Sequence, residues 1–396
     1  MTLFVGIDVT KNKHDFSVID SFGTIHLNHK QVKNDREGFT ELQITLESLR
    51  KSTNEASIQI ALEDTGHYCF NLIRFLRSCG YPTFSYNPII IREFAKVDSL
   101  RKTKTDKSDA LTIAKKLLND LDPSIHEVDP FYQELKFLTR HRSRTTEKRA
   151  QLKTQFVRLL DIMFPELAPI VGKANIHSQY IYNMFKAYPS PKKISRCRNK
   201  NLFKVLTNHR GRQLTSETID RIKEASKQTI GFSTTSLELE LLQIIETIEL
   251  YTTQIATIDT ETDLLMAKIN SPITSITGVK NRLGSVILSE IRNIHNFKSS
   301  GQLLAFACLE PSVFQSGQYN REGHMVKRGS TSLRWALIQA AKLAARFSPT
   351  FKAYLDKKRA EGKHYSVAIT HVAKKLVRVI FHLLKHQIFF EEVKLN

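Results

Sequence analysis

The chain has 396 residues, more than one ordinary hydrophobic core serves, so two or three domains are expected. Its 41% hydrophobic content excludes wholesale disorder, and 59 Lys and Arg against 39 Asp and Glu give a net charge of +20 that draws it to polyanions, to nucleic acid before a membrane surface. The four cysteines, Cys69, Cys79, Cys197 and Cys308, include no C-x-x-C pair, which argues against a zinc site and fits reduced thiols in a cytoplasmic protein.

In chain order, residues 3–9 (LFVGIDV) read as a buried strand, reached without the basic and apolar regions of a secretory signal. Residues 14–20 (HDFSVID) and 24–28 (TIHLN) read as the next two strands, with Ser21-Phe22-Gly23 turning between them. A helix follows over 34–50, with apolar contacts at Phe39, Leu42, Ile44 and Leu46. A strand over 57–62 (SIQIAL) ends at Glu63; then come a helix over 67–78, a strand over 83–86 and a helix from Pro88 onward. The order β-β-β-α-β-α-β-α predicts an α/β domain over 1–125 with a mixed sheet, which is the order of the RNase H-like fold.

Past residue 125 the strand signals stop, and a long helical, coiled-coil middle is expected over 126–271. Residues 135–163 form one helical pattern. Lys136, Arg140, Arg144 and Lys148 make a basic stripe along it, and Leu152, Phe156, Leu159, Leu160 and Met163 an apolar one. Residues 192–212 carry eight basic residues and no acid, and read as an exposed basic segment. A heptad seam then runs through Leu241, Ile244, Ile248, Tyr251, Ile255, Ile258, Thr262, Leu265 and Ile269. Its partner is either the helix at 135–163 or a second subunit. Residues 272–396 read as a mostly helical domain with a glycine-bearing loop region at 311–330. No stretch is long enough to span a bilayer.

Four acids carry the chemistry expected of the first domain. Asp8 sits at the centre of the first strand among Val5, Ile7 and Val9, where a carboxylate is costly unless paired or bound to metal. Glu63 ends a strand that should lie beside the first. Asp106 and Asp109, in RKTKTDKSDA, share one face at the start of a helix. Such a set suits two Mg2+ or Mn2+ ions, hard cations that take oxygen ligands and stabilise both attacking and leaving oxygens at phosphorus. Arg101, Lys102, Lys104 and Lys107 around the last two acids would hold a phosphate backbone. Asp15, Asp20 and Asp64 are nearby acids left outside the set.

Residues 308–335 read CLEPSVFQSGQYNREGHMVKRGSTSLRW. Ser316 precedes Gly317, which would permit close backbone approach to a phosphate, and Lys327, Arg328 and Arg334 would bind it. Ser312, Ser330, Thr331 and Tyr319 are alternative hydroxyls.

At this point the whole chain resembles the DEDD transposases of the insertion-sequence-110 family, relatives of the Piv invertases. The resemblance rests on GIDVTK, ALEDTGHY and RKTKTDKSDA at one end and on ITGVKNRLGSVILSEI and FACLEPSVFQSGQYNREGHMVKRGSTSLR at the other. It implies a RuvC-like nuclease domain followed by a transposase domain, with Asp8, Glu63, Asp106 and Asp109 as metal ligands and Ser316 as a nucleophile that forms a covalent phosphoserine with DNA. It also implies a structured bridge RNA that pairs with donor and target DNA, in a bacterial or archaeal nucleoid. The heptad helix favours self-association and recombination needs at least two active sites, so a homo-oligomer, dimer or tetramer, is expected. Within ITGVK, Lys280 stands where helix-hairpin-helix motifs usually carry a second glycine. Competing readings are a RuvC-like nuclease that hydrolyses DNA with water, a non-catalytic nucleic-acid-binding protein, and an actin-like ATPase, for which no convincing glycine-rich phosphate loop is present.

Overall fold

The computed structural model describes residues 2–53, 57–63, 66–86, 88–98, 106–120, 130–207, 214–316, 319–325 and 329–392. The chain divides into two compact units, Met1–Val128 and Asp129–Asn396.

The first unit contains β1 (Thr2–Val9), β2 (Lys13–Ile19), β3 (Ile25–Lys33), α1 (Arg36–Ser52), β4 (Ser57–Glu63), α2 (Cys69–Ser78), β5 (Thr83–Tyr86), α3 (Pro88–Asp98) and α4 (Asp106–Leu118). Five strands form one mixed sheet in the order β3-β2-β1-β4-β5. β1, β2 and β3 are antiparallel neighbours, whereas β4 and β5 run parallel to β1. The alternation of side chains along each strand divides the residues between two faces. Leu3, Val5, Ile7, Phe16 and Val18 pack with Leu42 and Leu46 of α1 and Leu72 and Leu76 of α2. The other face meets α4, whose Ile113 and Leu117 pack with Ala61, Phe84 and Tyr86. Helix α1 begins where Asp35 accepts from the Gly38 amide at 2.8 Å, an N-cap that satisfies a first-turn donor. Ile44, expected to be a core contact, is 64% exposed and lies off the buried stripe of Phe39, Leu42 and Leu46.

The second unit is helical around one hairpin. It contains α5 (Pro130–Met163), α6 (Leu167–Val171), α7 (Gln179–Ala187), α8 (Pro191–Arg196), α9 (Asn199–Thr207), α10 (Ser216–Gln228) and α11 (Thr235–Ile269). After these come α12 (Asn281–Ile291), α13 (Ser300–Phe306), β6 (Pro311–Ser316), β7 (Tyr319–Met325), α14 (Thr331–Phe347), α15 (Pro349–Ala360) and α16 (Tyr365–His386). The heptad seam of α11 is turned onto α5 of the same chain. Leu241, Ile244, Ile248, Ile255, Ile258, Thr262 and Leu265 are all buried. The one polar seam residue, Thr262, donates its hydroxyl to the Ile258 carbonyl at 2.8 Å, so its burial leaves no lost hydrogen bond. Helix α11 starts at the Thr234 cap and stops at Asn270, which adopts a left-handed conformation with φ 44°.

The α5–α11 pair carries a core at each end. Phe156, Leu159, Leu160 and Met163 of α5 and Leu241 to Ile248 of α11 join α6 to α10 in one core. Leu135 of α5 and Leu265 and Met266 of α11 join α12 to α16 in the other. Two sequence expectations change here. Residues 192–207 are not an open basic segment: they form most of α8 and all of α9, with Ile194, Leu202 and Leu206 fully buried and the basic residues outward. Residues 208–213 lie outside the described residues. The glycine-bearing loop region at 311–330 contains an antiparallel hairpin, β6 with β7, in which Ser316 stands opposite Tyr319.

Candidate functional site

Asp8 is the penultimate residue of β1, near its C-terminal end and not at its centre. In the β1–β4 ladder Ile7 stands opposite Leu62, so Asp8 and Glu63 are the next residues along two adjacent parallel strands. Strands in a sheet run about 4.8 Å apart, which sets the scale of their separation. On the other side of β1, Asp8 is directly opposite Asp15 of β2. Directly paired residues share a face, so Asp15, Asp8 and Glu63 form a row of acids across three neighbouring strands.

Helix α4 covers that face, and Gly6 explains how closely. A Cβ added at Gly6 would stand 2.1 Å from the Ala110 carbonyl oxygen and 2.3 Å from the Ala114 amide nitrogen. The glycine therefore lets helix backbone rest on strand backbone two residues from Asp8. The far end of α4 is located by Leu118, which lies 3.9 Å from the Cβ position of Gly23 in the β2–β3 turn. That turn adjoins the N-terminal end of β1, where Phe4 stands opposite Ile19. Helix α4 thus runs opposite to β1, and its first turn, with Asp106 and Asp109, starts at the Asp8 end. Asp8, Glu63 and Asp109 are each partly exposed.

Asp15 is one of the three nearby acids, with Asp20 and Asp64, outside the expected set. It is 1% exposed, and its Oδ1 accepts from His29 Nε2 at 2.6 Å and from Gln31 Nε2 at 3.0 Å. Its Oδ2 is buried without a hydrogen-bond partner among the described residues, with Lys13 Nζ 3.8 Å away. The signal for it was the alternation of HDFSVI, but its place opposite Asp8 depends on the register of the β1–β2 pair, which the sequence does not print. Among the described residues, which do not include the Asp106 side chain, no three His, Cys, Asp or Glu side chains form a metal-holding group.

Of the expected phosphate contacts, Arg101, Lys102, Lys104, Lys327 and Arg328 lie outside the described residues, and Lys107 is in the first turn of α4. The basic stripe of α5 divides in two. Arg144 and Lys148 are exposed, whereas Arg140 pairs with Glu290 and Lys136 stands 3.9 Å from it. Glu290, on α12, has a side chain only 4% exposed and also accepts from the Ser330 hydroxyl at 2.9 Å. This buried carboxylate therefore ties α5, α12 and the cap of α14 together. Arg334 is on α14, and its buried Nη1 has no hydrogen-bond partner among the described residues. Ser316 is the last residue of β6. Gly278, in the ITGVK segment, has φ 91°, and a Cβ there would stand 2.9 Å from the Ala344 nitrogen. That glycine serves backbone geometry and close packing on α14, and Lys280 is the N-cap of α12.

No helix among the described residues is long and apolar enough to cross a membrane. The family DEDD_Tnp_IS110, described as a transposase, matches residues 5–165, and the transposase family IS116/IS110/IS902 matches residues 270–356. The chain is 24% identical to the insertion element IS110 uncharacterized 43.6 kDa protein of Streptomyces coelicolor over 73% of each chain. It is 22% identical to the mini-circle putative transposase for IS117 of the same organism, over 99% of this chain and 96% of that one. It is also 30% identical to the pilin gene-inverting protein of Moraxella lacunata over 112 residues, 28% of this chain and 33% of that one. With its two matched segments spanning the five-stranded unit and the hairpin-bearing helical end, the chain belongs to the IS110 family of transposases.

Proposed function

We propose that this transposase cuts and rejoins DNA through a covalent phosphoserine formed at Ser316, with divalent metal held by Asp8, Glu63, Asp106 and Asp109. The observation that carries the metal reading is the strand register: Asp8 and Glu63 are at equivalent positions on adjacent parallel strands, beneath the start of the helix that bears the aspartate pair. Carboxylates in such proximity repel one another, and a divalent cation would offset that repulsion. Asp15, opposite Asp8 and with an Oδ2 that accepts no hydrogen bond among the described residues and lies 3.8 Å from Lys13 Nζ, adds a further carboxylate beside these four. The sheet order, with an antiparallel β1–β2–β3 meander followed by parallel β4 and β5, supports an RNase H-like, RuvC-like domain.

When bound, two Mg2+ or Mn2+ ions supply stabilisation of negative charge on the attacking and leaving oxygens at phosphorus. The Ser316 hydroxyl loses its proton and attacks phosphorus, and the bond from phosphorus to the departing deoxyribose oxygen breaks as that oxygen takes up a proton. One phosphodiester replaces another, so rejoining by the reverse attack needs no nucleotide hydrolysis. The net charge of +20 supports a polyanionic partner, with donor and target DNA and a bridge-type RNA as the partners and a homo-oligomer as the assembly.

The test is adduct trapping with suitable substrate DNA and Mg2+. Wild-type protein should give a covalent protein–DNA species that maps to Ser316. Ser316→Ala should give none while retaining metal binding, and Asp8→Asn should abolish cleavage while retaining nucleic-acid binding. Cleaved DNA with no adduct would replace the recombinase reading with hydrolysis by water.

A further inference from the structure

Within the second unit, α5, α12 and α14 line a cavity of about 430 Å3. Arg140, Arg142 and Arg282 border it, together with Thr331 and Ser332 of the first turn of α14 and Trp335 one turn further on. Trp335 is the chain's single tryptophan and is 47% exposed, whereas tryptophan is on average a highly buried residue. Its indole lies on the wall of a pocket in the size range of small-ligand sites.

The lining carries three arginines against one acid, Glu147, which accepts from the Ser143 hydroxyl at 3.2 Å, and the charges are not all matched. Arg140 pairs with Glu290, and Arg142 makes a two-point contact with Asp259. Arg282 has no ion-pair partner among the described residues. Arg282 is exposed at the rim of the pocket, where partial desolvation and the like charges of Arg142 and Arg149 press its pKa below the ordinary arginine value, and Asp259 opposes them only in part. An anion in the pocket would relieve that pressure. At α14, Ser330 caps the Leu333 amide at 3.1 Å, and the Ser330 carbonyl accepts from Arg334 at 3.1 Å. The amides of Thr331 and Ser332 have no acceptor among the described residues, so the first turn of a 17-residue helix keeps two donors and its positive dipole end for a ligand.

We infer that this cavity holds one unpaired nucleotide of a single strand, with its base stacked on Trp335 and its phosphate between Arg282 and the first turn of α14. Every base has a face that stacks on an aromatic ring, and a phosphate is met both by a guanidinium and by a helix N-terminus. A base inside a duplex has both faces covered by its neighbours, so the pocket selects single strands. The inference goes beyond the cleavage chemistry and stands without it, because stacking and phosphate contacts need no metal. Single-stranded DNA and single-stranded RNA both offer this chemistry, and the experiment separates them.

The single tryptophan makes the measurement direct. Full-length protein in EDTA is titrated with dye-labelled single-stranded DNA, single-stranded RNA of the same sequence, and duplex DNA, while binding is followed by dye anisotropy and the pocket by tryptophan emission. At least one single strand should quench Trp335 emission as it binds, and duplex should bind without quenching. Quenching by DNA alone assigns the nucleotide to DNA, and quenching by RNA alone assigns it to RNA. Quenching by both assigns a single-strand site without sugar selection. Trp335→Ala should weaken the quenching strand about tenfold, and Arg282→Ala should weaken it with the circular dichroism unchanged. Asp8→Asn should be quenched like wild type, so failure of the metal reading leaves this result untouched. Saturated single-strand binding with unchanged emission, or unchanged single-strand affinity in Trp335→Ala, overturns the inference.

Discussion

The contact between Gly6 and α4 permits a sharp test of how the carboxylates are assembled. In Gly6→Ala the new methyl carbon would stand 2.1 Å from one backbone atom of α4 and 2.3 Å from another. Backbone atoms cannot rotate aside as a flexible side chain does, so the helix must lift from the sheet by more than an ångström. Overpacking of this kind costs about 3 kcal/mol, which for a unit of this size corresponds to a melting shift of about 10 °C. The first turn of α4 carries Asp106 and Asp109, and it would move with the helix away from Asp8 and Glu63. Two readouts should therefore change together: a lower Tm by differential scanning fluorimetry, and weaker Mn2+ binding by isothermal titration at temperatures where the variant remains folded. A variant with wild-type Tm and wild-type Mn2+ affinity would refute the claim that close strand–helix approach at Gly6 sets the distance across the acid row.

Three further substitutions probe other parts of the molecule. Asp15→Asn keeps an oxygen to accept from His29 and Gln31 but removes the charge beside Asp8; Mn2+ affinity should fall several-fold with circular dichroism unchanged, and an unaltered affinity would confine Asp15 to a structural role. Glu290→Ala leaves Arg140 without its carboxylate and the Ser330 hydroxyl without its acceptor; it should cost about 2 kcal/mol in urea unfolding, and a shift of the midpoint within error would show that the pair contributes nothing. His177 is held down to about 4, first by burial and then by the charge of Lys153, against an ordinary value of 6.5. As pH falls below about 6.5 the unfolded chain takes up this proton before the folded one, so stability declines until about pH 4, while above 6.5 the residue is neutral in both states. His177→Asn should flatten that part of a Tm-against-pH curve, and a difference independent of pH would contradict the assignment.

Much of the first unit was legible because its chemistry interrupts a regular pattern. Asp8 stands among apolar strand residues and Glu63 closes an apolar run, so both announce themselves before any register is known. Asp15 does not, since β2 mixes His14, Asp15 and Ser17 with its apolar residues, and only pairing reveals that Asp15 stands opposite Asp8. The partner of the α11 seam was open in the sequence because heptads specify a face and not the chain that covers it; the structure gives α5. Residues 192–207 misled through composition: three buried apolar residues hold two helices, and the many exposed lysines and arginines hide that spacing. The hairpin was missed because PSVFQS and YNREGHM lack a clean apolar alternation, although Gly317-Gln318 between two extended runs is a turn signal. Arg282, Glu290 and Trp335 form no local motif, and their relation to Arg140 exists only after α5 has packed on the C-terminal helices.

The antiparallel pair of α5 and α11 acts as a molecular ruler. At 1.5 Å per residue the 34 residues of α5 measure about 50 Å, and each end is anchored in a different core, so neither anchorage can slide without breaking the seam. Removing one heptad from each helix would draw the anchorages about 10 Å closer while keeping the interlocking rows in phase. Length is thus a quantity that insertions and deletions can adjust in steps of seven, without redesigning either end.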